Sequence, residues 1–185
     1  DNAGSGIQLI NKGNIILNGV HADGNYIGGV FDNCIQSAGA CSWLGSGTVT
    51  ITDSTFDHNT APDHSLQVRA RGTITLTGVS ASWNASGYGA RLDTSLSQLA
   101  SAVTVNSSFF NLNGFDGLGI YAKGAVTLNK VHAGDTDPLT SALRGNSGNG
   151  ALIDNTYGTA GVTIKGMAYG DNQFSYNDWI GIVIN

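Results

Sequence analysis

The chain has 185 residues, a hydrophobic fraction of 41% and a formal net charge of −5. Its eight basic residues are scattered and form no basic stripe for phosphate, which excludes a nucleic-acid-binding protein. No apolar run approaches the roughly 18 residues of a membrane span. All 13 acidic residues are Asp, and Gly, Asn, Thr and Ser are plentiful, so the composition predicts an all-β protein.

Two kinds of short segment alternate along the chain, and both show the period-two pattern of a strand with one buried face. The first kind is exemplified by SLQVRARG and the second by TITLTGVSASWN, which turns a corner and ends in Asn. Segments of the first kind occupy 6–13, 28–33, 65–72, 89–94, 117–124, 150–155 and 181–185. Segments of the second kind occupy 14–25, 48–59, 73–84, 102–113, 125–136 and 161–177.

The spacing of these segments indicates a solenoid. The first apolar positions of the second kind recur at 59, 54, 52 and 59 residues when counted over two units, so the period is a pair of coils. Each unit has room for about three short strands, which disfavours propeller blades and leucine-rich repeats. We therefore predict a single solenoid domain over residues 1–185, of about six to seven coils, that is part of a longer repeat protein with flanking repeats.

Stacked columns follow from a solenoid, because each strand pairs with its counterpart in the next coil. Inward residues such as Leu66, Leu118 and Ile182 are expected on one sheet. Asn is expected at the turns in a left-handed backbone conformation, with Thr136 replacing it before a long excursion. The predicted turn asparagines are Asn25, Asn59, Asn84, Asn113 and Asn177.

The units resemble those of right-handed parallel β-helix proteins, the pectate-lyase-like superfamily, and more closely the repeat arrays of large bacterial surface proteins. GLGIYAKGAVTLNKVHAG at 117–134 carries the resemblance best. The resemblance implies an extracellular or cell-surface stalk or adhesin segment whose partners are glycans or other surface proteins. It transfers no catalytic residue, because no catalytic motif of the superfamily is matched.

One predicted outward column of the first kind of strand could carry chemistry. Asp32, Arg69 and Asp93 are expected on successive rungs, with Arg91 beside them. Carboxylates two rungs apart suit an acid and base pair for a polysaccharide lyase or hydrolase, whereas alternating charges also suit a surface salt-bridge ladder, which we favour.

Aromatic residues are candidates for sugar stacking. They are Tyr121 on a strand, and Trp43, Trp83, Tyr157 and Trp179 at turns or loops. Phe56, Phe110 and Phe174 are predicted to be core residues, because they recur in an inward column.

Other patterns favour structural roles. A stacked Thr column on the second kind of strand resembles an ice-binding face, although its flanking columns stay regular over only two coils. His58 and His64 are expected as solvated turn residues, and Cys34 and Cys41 could form a disulfide across one loop. Neither the Asp135 and Asp137 loop nor the histidine spacing matches a metal motif, so we predict no metal site and no cofactor.

Overall fold

The computed structural model describes residues 2–34, 36–37, 39–41, 47–134, 145–166 and 171–185. Within these residues the chain is all-β and has no helix. Its strands in chain order are β1 (Ser5–Ile10), β2 (Ile15–Asn18), β3 (Ile27–Asp32), β4 (Gln36–Ser37), β5 (Ala40–Cys41), β6 (Val49–Thr52), β7 (His64–Arg69), β8 (Ile74–Thr77), β9 (Tyr88–Asp93), β10 (Val103–Phe109), β11 (Leu118–Tyr121), β12 (Val126–His132), β13 (Ala151–Asp154), β14 (Val162–Lys165) and β15 (Ile182–Ile184).

Two parallel sheets account for all strands except a short antiparallel hairpin formed by β4 and β5, within the described residues. Sheet A has the order β1-β3-β7-β9-β11-β13-β15, and sheet B has the order β2-β6-β8-β10-β12-β14. Apart from the hairpin, the chain therefore visits the two sheets alternately. The predicted all-β class and the parallel pairing are confirmed.

The core lies between the sheets and consists of stacked inward columns. Along sheet A, Phe31, Val68 and Leu92 are fully buried and share one column, continued by Ile120 and Ile153. Burying each large apolar side chain contributes about 1.5–3 kcal/mol, whereas an exposed ion pair contributes at most about 1 kcal/mol. Apolar stacking between neighbouring strands therefore holds the fold together. The expected common column of Leu66, Leu118 and Ile182 forms on sheet A.

A ladder of asparagines runs along one corner of the molecule. The backbone N–H of each Asn donates to Oδ1 of the Asn in the following turn, at 2.8–3.3 Å. Its members are Asn25, Asn59, Asn84, Asn113, Asn146 and Asn177. The expectation that Thr136 takes the fifth turn is wrong, since Asn146 lies between Asn113 and Asn177, and Thr136 is outside the described residues.

The backbone conformation of this corner also differs from the expectation. No Asn in the described part of the chain has a positive φ. The left-handed residue is the one before the ladder Asn, with φ of 57° at His58, 62° at Trp83, 57° at Leu112 and 59° at Tyr176. Non-Gly residues rarely adopt this conformation, so its recurrence before four ladder asparagines marks a turn geometry that these positions share.

Glycines make room for the Asn ladder. A Cβ at Gly89 would lie 2.7 Å from Nδ2 of Asn113 and 2.5 Å from two backbone carbonyl oxygens. Ser65 takes the equivalent place on β7, and its hydroxyl accepts a hydrogen bond from Nδ2 of Asn59 at 2.7 Å. A small residue immediately before the first inward residue of β7 and β9 is therefore a packing requirement of the ladder.

A disulfide joins Cys34 and Cys41 and closes the hairpin that follows β3. The backbone N–H of Cys41 donates to the carbonyl of Leu96 at 3.1 Å, and Nε2 of Gln98 donates to the carbonyl of Cys41 at 3.4 Å. The hairpin thus packs against the loop that follows β9, beside the ends of the sheet A strands.

Candidate functional site

The outer face of sheet A carries the candidate chemistry. We define this face by the outward charged and aromatic residues at the ends of its strands. The strand register places Asp32 beside Arg69, Arg69 beside Asp93, and Asp93 beside Tyr121, which in turn lies beside Asp154. Asp32, Arg69 and Asp93, which the sequence predicted on successive rungs, are therefore direct neighbours, and the column continues through Tyr121 and Asp154. The face consists of Asp32, Arg69, Arg91, Asp93, Tyr121 and Asp154.

The three carboxylates of this face each hold a loop in place. Oδ1 accepts the backbone N–H two residues later, from Cys34 to Asp32 at 2.8 Å and from Ser95 to Asp93 at 3.0 Å. Asp154 accepts from Thr156 at 3.1 Å in the same manner. Asp is favoured at such turns because its side chain replaces a backbone acceptor. The sequence signal for this role is an Asp at the end of every second sheet A strand, immediately before a longer loop.

The second oxygen of two carboxylates is occupied by an arginine. Nη1 of Arg69 lies 3.3 Å from Oδ2 of Asp32, and Nη2 of Arg91 lies 3.6 Å from Oδ2 of Asp93. Burial raises the pKa of Asp32 above its ordinary value, although the Cys34 N–H and the Arg69 guanidinium act in the opposite direction. Asp32 and Arg69 thus form an ion pair between neighbouring strands, and Arg91 and Asp93 form one within a strand.

Arg91 also covers the ring of Tyr121, with its guanidinium carbon 4.4 Å from the ring centroid. The guanidinium therefore bridges Asp93 on its own strand and Tyr121 on the next. This contact covers one ring face of Tyr121. A ligand that binds here would therefore contact Arg91 and Tyr121 together.

A row of aromatic rings flanks the face where the sheet A strands begin. Ring centroids lie 5.5 Å apart between His64 and Tyr88, 4.8 Å apart between Tyr88 and Phe115, and 5.6 Å apart between Phe115 and Trp179. We call these four residues the aromatic row. Trp179 was a sequence candidate and its side chain is 64% exposed, whereas Tyr88 and Phe115 were missed. Their only sequence signal is an aromatic residue two or three positions before the first inward strand residue.

The aromatic row and the charged face influence each other electrostatically. Burial raises the pKa of Tyr88, Asp116 and Tyr121 act in the same direction, and Arg91 opposes them. His64 is buried, and its Nδ1 lies 2.6 Å from Oδ1 of Asp63. Burial lowers the pKa of His64, Asp63 opposes the shift, and Arg91 and Arg69 add to it. His64 is therefore not the solvated turn residue that we expected, because it is buried and its ring packs against the ring of Tyr88.

Trp83 lies apart from the row. Its ring stacks on His58, with centroids 5.7 Å apart and an interplanar angle of 5°. Because parallel stacking hides one face of each ring, a sugar finds less ring surface here. Among the described residues no ring contact joins Trp83 to the aromatic row. Trp43 is outside the described residues.

The predicted Thr column is present on sheet B. The column is in register and consists of Thr50, Thr75, Thr104, Thr127 and Thr163, and ice binding by it stays a prediction.

The described residues contain no cluster of three or more His, Cys, Asp or Glu side chains that could hold a metal ion, and Asp135 and Asp137 lie outside them. In the same part of the chain no helix has the length and apolarity to cross a membrane.

These features define an all-β protein of two parallel sheets with a charged and aromatic outer face. No protein-family model, no curated protein and no solved structure matches the chain.

Proposed function

We propose that the chain is part of a right-handed parallel β-helix from an exported bacterial surface protein, in which it acts as a stalk or adhesin-like segment that contacts carbohydrate. Seven strands in sheet A and six in sheet B support a solenoid of about six to seven turns. At a strand spacing of about 4.8 Å the seven strands of sheet A extend over roughly 29 Å. Crossover connections between parallel strands of one sheet are right-handed in about 98% of cases, which supports the handedness.

Export is supported by the disulfide between Cys34 and Cys41, because disulfides persist in oxidising compartments outside the cytosol. The same bond secures a loop beside the outer face of sheet A. An extracellular location would expose that face to the glycans of neighbouring cells or matrices.

Carbohydrate contact rests on the aromatic row beside the charged face. Aromatic rings offer apolar surface to the C–H groups of a sugar, and adjacent carboxylates and guanidinium groups offer hydrogen bonds to its hydroxyls. The row runs along several strands, a geometry that suits an extended polymer better than a single small molecule. Trp179, 64% exposed, is the most accessible ring of the row.

A glycan array tests this proposal, with wild-type protein compared against Trp179→Ala. We expect the variant to lose affinity by at least about tenfold, which corresponds to about 1.4 kcal/mol. Trp83→Ala is the matched control, since Trp83 is also exposed but stacks on His58 away from the row. An equal loss in both variants, or no bound glycan for the wild type, would refute the assignment of binding to this face.

A polysaccharide lyase or hydrolase is the second candidate function. Asp32 and Asp93 lie on alternate strands, which corresponds to a separation of about 9.6 Å between rungs. Such spacing leaves room for a substrate or water between two carboxylates. Turnover of a polysaccharide by the wild type, abolished by Asp93→Asn, would favour this candidate over a non-catalytic binder.

A further inference from the structure

The charge of the outer face of sheet A restricts its ligand. Three carboxylates and two guanidinium groups give the face a net charge of −1, with Asp32, Asp93 and Asp154 against Arg69 and Arg91. The whole chain is also acidic, at −5. An approaching polyanion is therefore repelled, and the repulsion is strongest at low salt.

The positive charge of each arginine of this face is already balanced by a neighbouring carboxylate. Arg69 is paired with Asp32, and Arg91 is held between Asp93 and Tyr121. The side chains of Asp32, Arg69 and Asp93 are at most 27% exposed, and the side chain of Arg91 is 36% exposed. Displacing either arginine would leave a partly buried carboxylate unpaired, which costs free energy.

We infer that this face selects neutral polysaccharides and rejects uronates and sulfated glycans. The inference rests on the proposed carbohydrate-binding function and narrows its ligand. Uncharged sugars avoid the repulsion, keep both arginine pairs intact and still stack on the exposed ring of Trp179. Their hydroxyls can donate to the carboxylates, and Gln67, next to Arg91 in the strand register, adds an uncharged polar group.

The first test measures binding to an array of neutral, uronate and sulfated glycans. It also compares the Kd of two hexasaccharides that differ only at C6, β-1,4-mannohexaose and its uronate counterpart. We expect array binding to be confined to neutral glycans, with a Kd that changes less than about twofold between about 50 mM and about 500 mM NaCl. A preference for uronate or sulfated glycans would overturn the inference and leave the proposed function standing. No bound glycan of any class would overturn both.

A charge-release variant provides the second test. Asp32→Asn combined with Asp93→Asn keeps the Oδ1 acceptors that hold the loops, frees both arginines and changes the net charge of the face from −1 to +1. We expect this double variant to bind the uronate hexasaccharide at least tenfold more tightly than the wild type does, about 1.4 kcal/mol.

The matched control removes two charges elsewhere, by Asp23→Asn combined with Asp53→Asn, neither of which lies on sheet A. It should leave uronate affinity within about twofold of wild type, because screening limits the effect of distant charges. An equal gain in the control, or no gain in the charge-release variant, would show that the paired arginines do not set the selectivity.

Discussion

Removal of one rung of the Asn ladder should have a large effect on stability. Oδ1 of Asn113 accepts the backbone N–H of Asn84 at 3.3 Å and its Nδ2 at 2.6 Å, and Nδ2 of Asn113 donates to Asn146 at 2.9 Å. All three residues are at most 2% exposed. Asn113→Ala leaves two donors of Asn84 buried and unpaired, at about 1–3 kcal/mol each. We therefore expect the free energy of unfolding to fall by about 2–6 kcal/mol.

Urea denaturation, followed by far-ultraviolet circular dichroism, measures this loss as a lower midpoint at an unchanged slope. Asn129→Ala is the matched control, because Asn129 lies half-buried on the outer side of sheet B and makes no side-chain hydrogen bond within the described residues. The control should cost less than about 0.5 kcal/mol, as is usual for surface substitutions. If the two variants lose equal stability, the ladder is not the stabilising element that its geometry indicates.

Three further predictions concern other parts of the fold. Asp57→Asn should be more stable than wild type at neutral pH, because burial and the neighbouring Asp23 raise the pKa of Asp57, while the Asn amide oxygen still accepts the backbone N–H of Ser82. The stability difference between variant and wild type should shrink as the pH falls towards the ordinary pKa of Asp. A variant less stable than wild type at neutral pH would contradict this. Gly89→Ala should cost about 3 kcal/mol or more in urea unfolding, and Gly161→Ala, where a Cβ meets nothing within 4 Å, should cost under about 1 kcal/mol. Reduction of the Cys34–Cys41 disulfide should lower stability by about 2 kcal/mol, with no effect of the reductant on a Cys34→Ser/Cys41→Ser variant.

The neighbours of Asp32, Arg69 and Asp93 could be predicted from sequence because the strand period is two and pairing is parallel. In such a sheet, equal positions in successive segments become direct neighbours in space. The hydrogen bonds of these carboxylates were not predicted, since they depend on the path of each loop after its strand. Trp179 was a candidate only as an aromatic residue at a predicted turn. Tyr88 was missed because its ring lies at a strand end, where alternation no longer fixes side-chain direction.

The fifth turn of the Asn ladder shows a different limit of sequence-based prediction. A long segment precedes Asn146, and no pattern in the sequence decides where in it the next ladder asparagine lies. Only the hydrogen bonds from Asn113 to Asn146 and from Asn146 to Asn177 identify its place. Similarly, His58, Trp83, Leu112 and Tyr176 share no chemistry, and their left-handed backbone is a consequence of the turn that each occupies.

The sequence by itself determined the strand segments, their alternation between two parallel sheets and the columns of like residues, because short-range periodicity and segment order encode them. Only the tertiary structure decided which turn residues are buried, which carboxylates cap loops and which rings form the aromatic row. Those outcomes depend on contacts between turns that are 20 or more residues apart in sequence, where a side chain takes the place that its neighbours leave open.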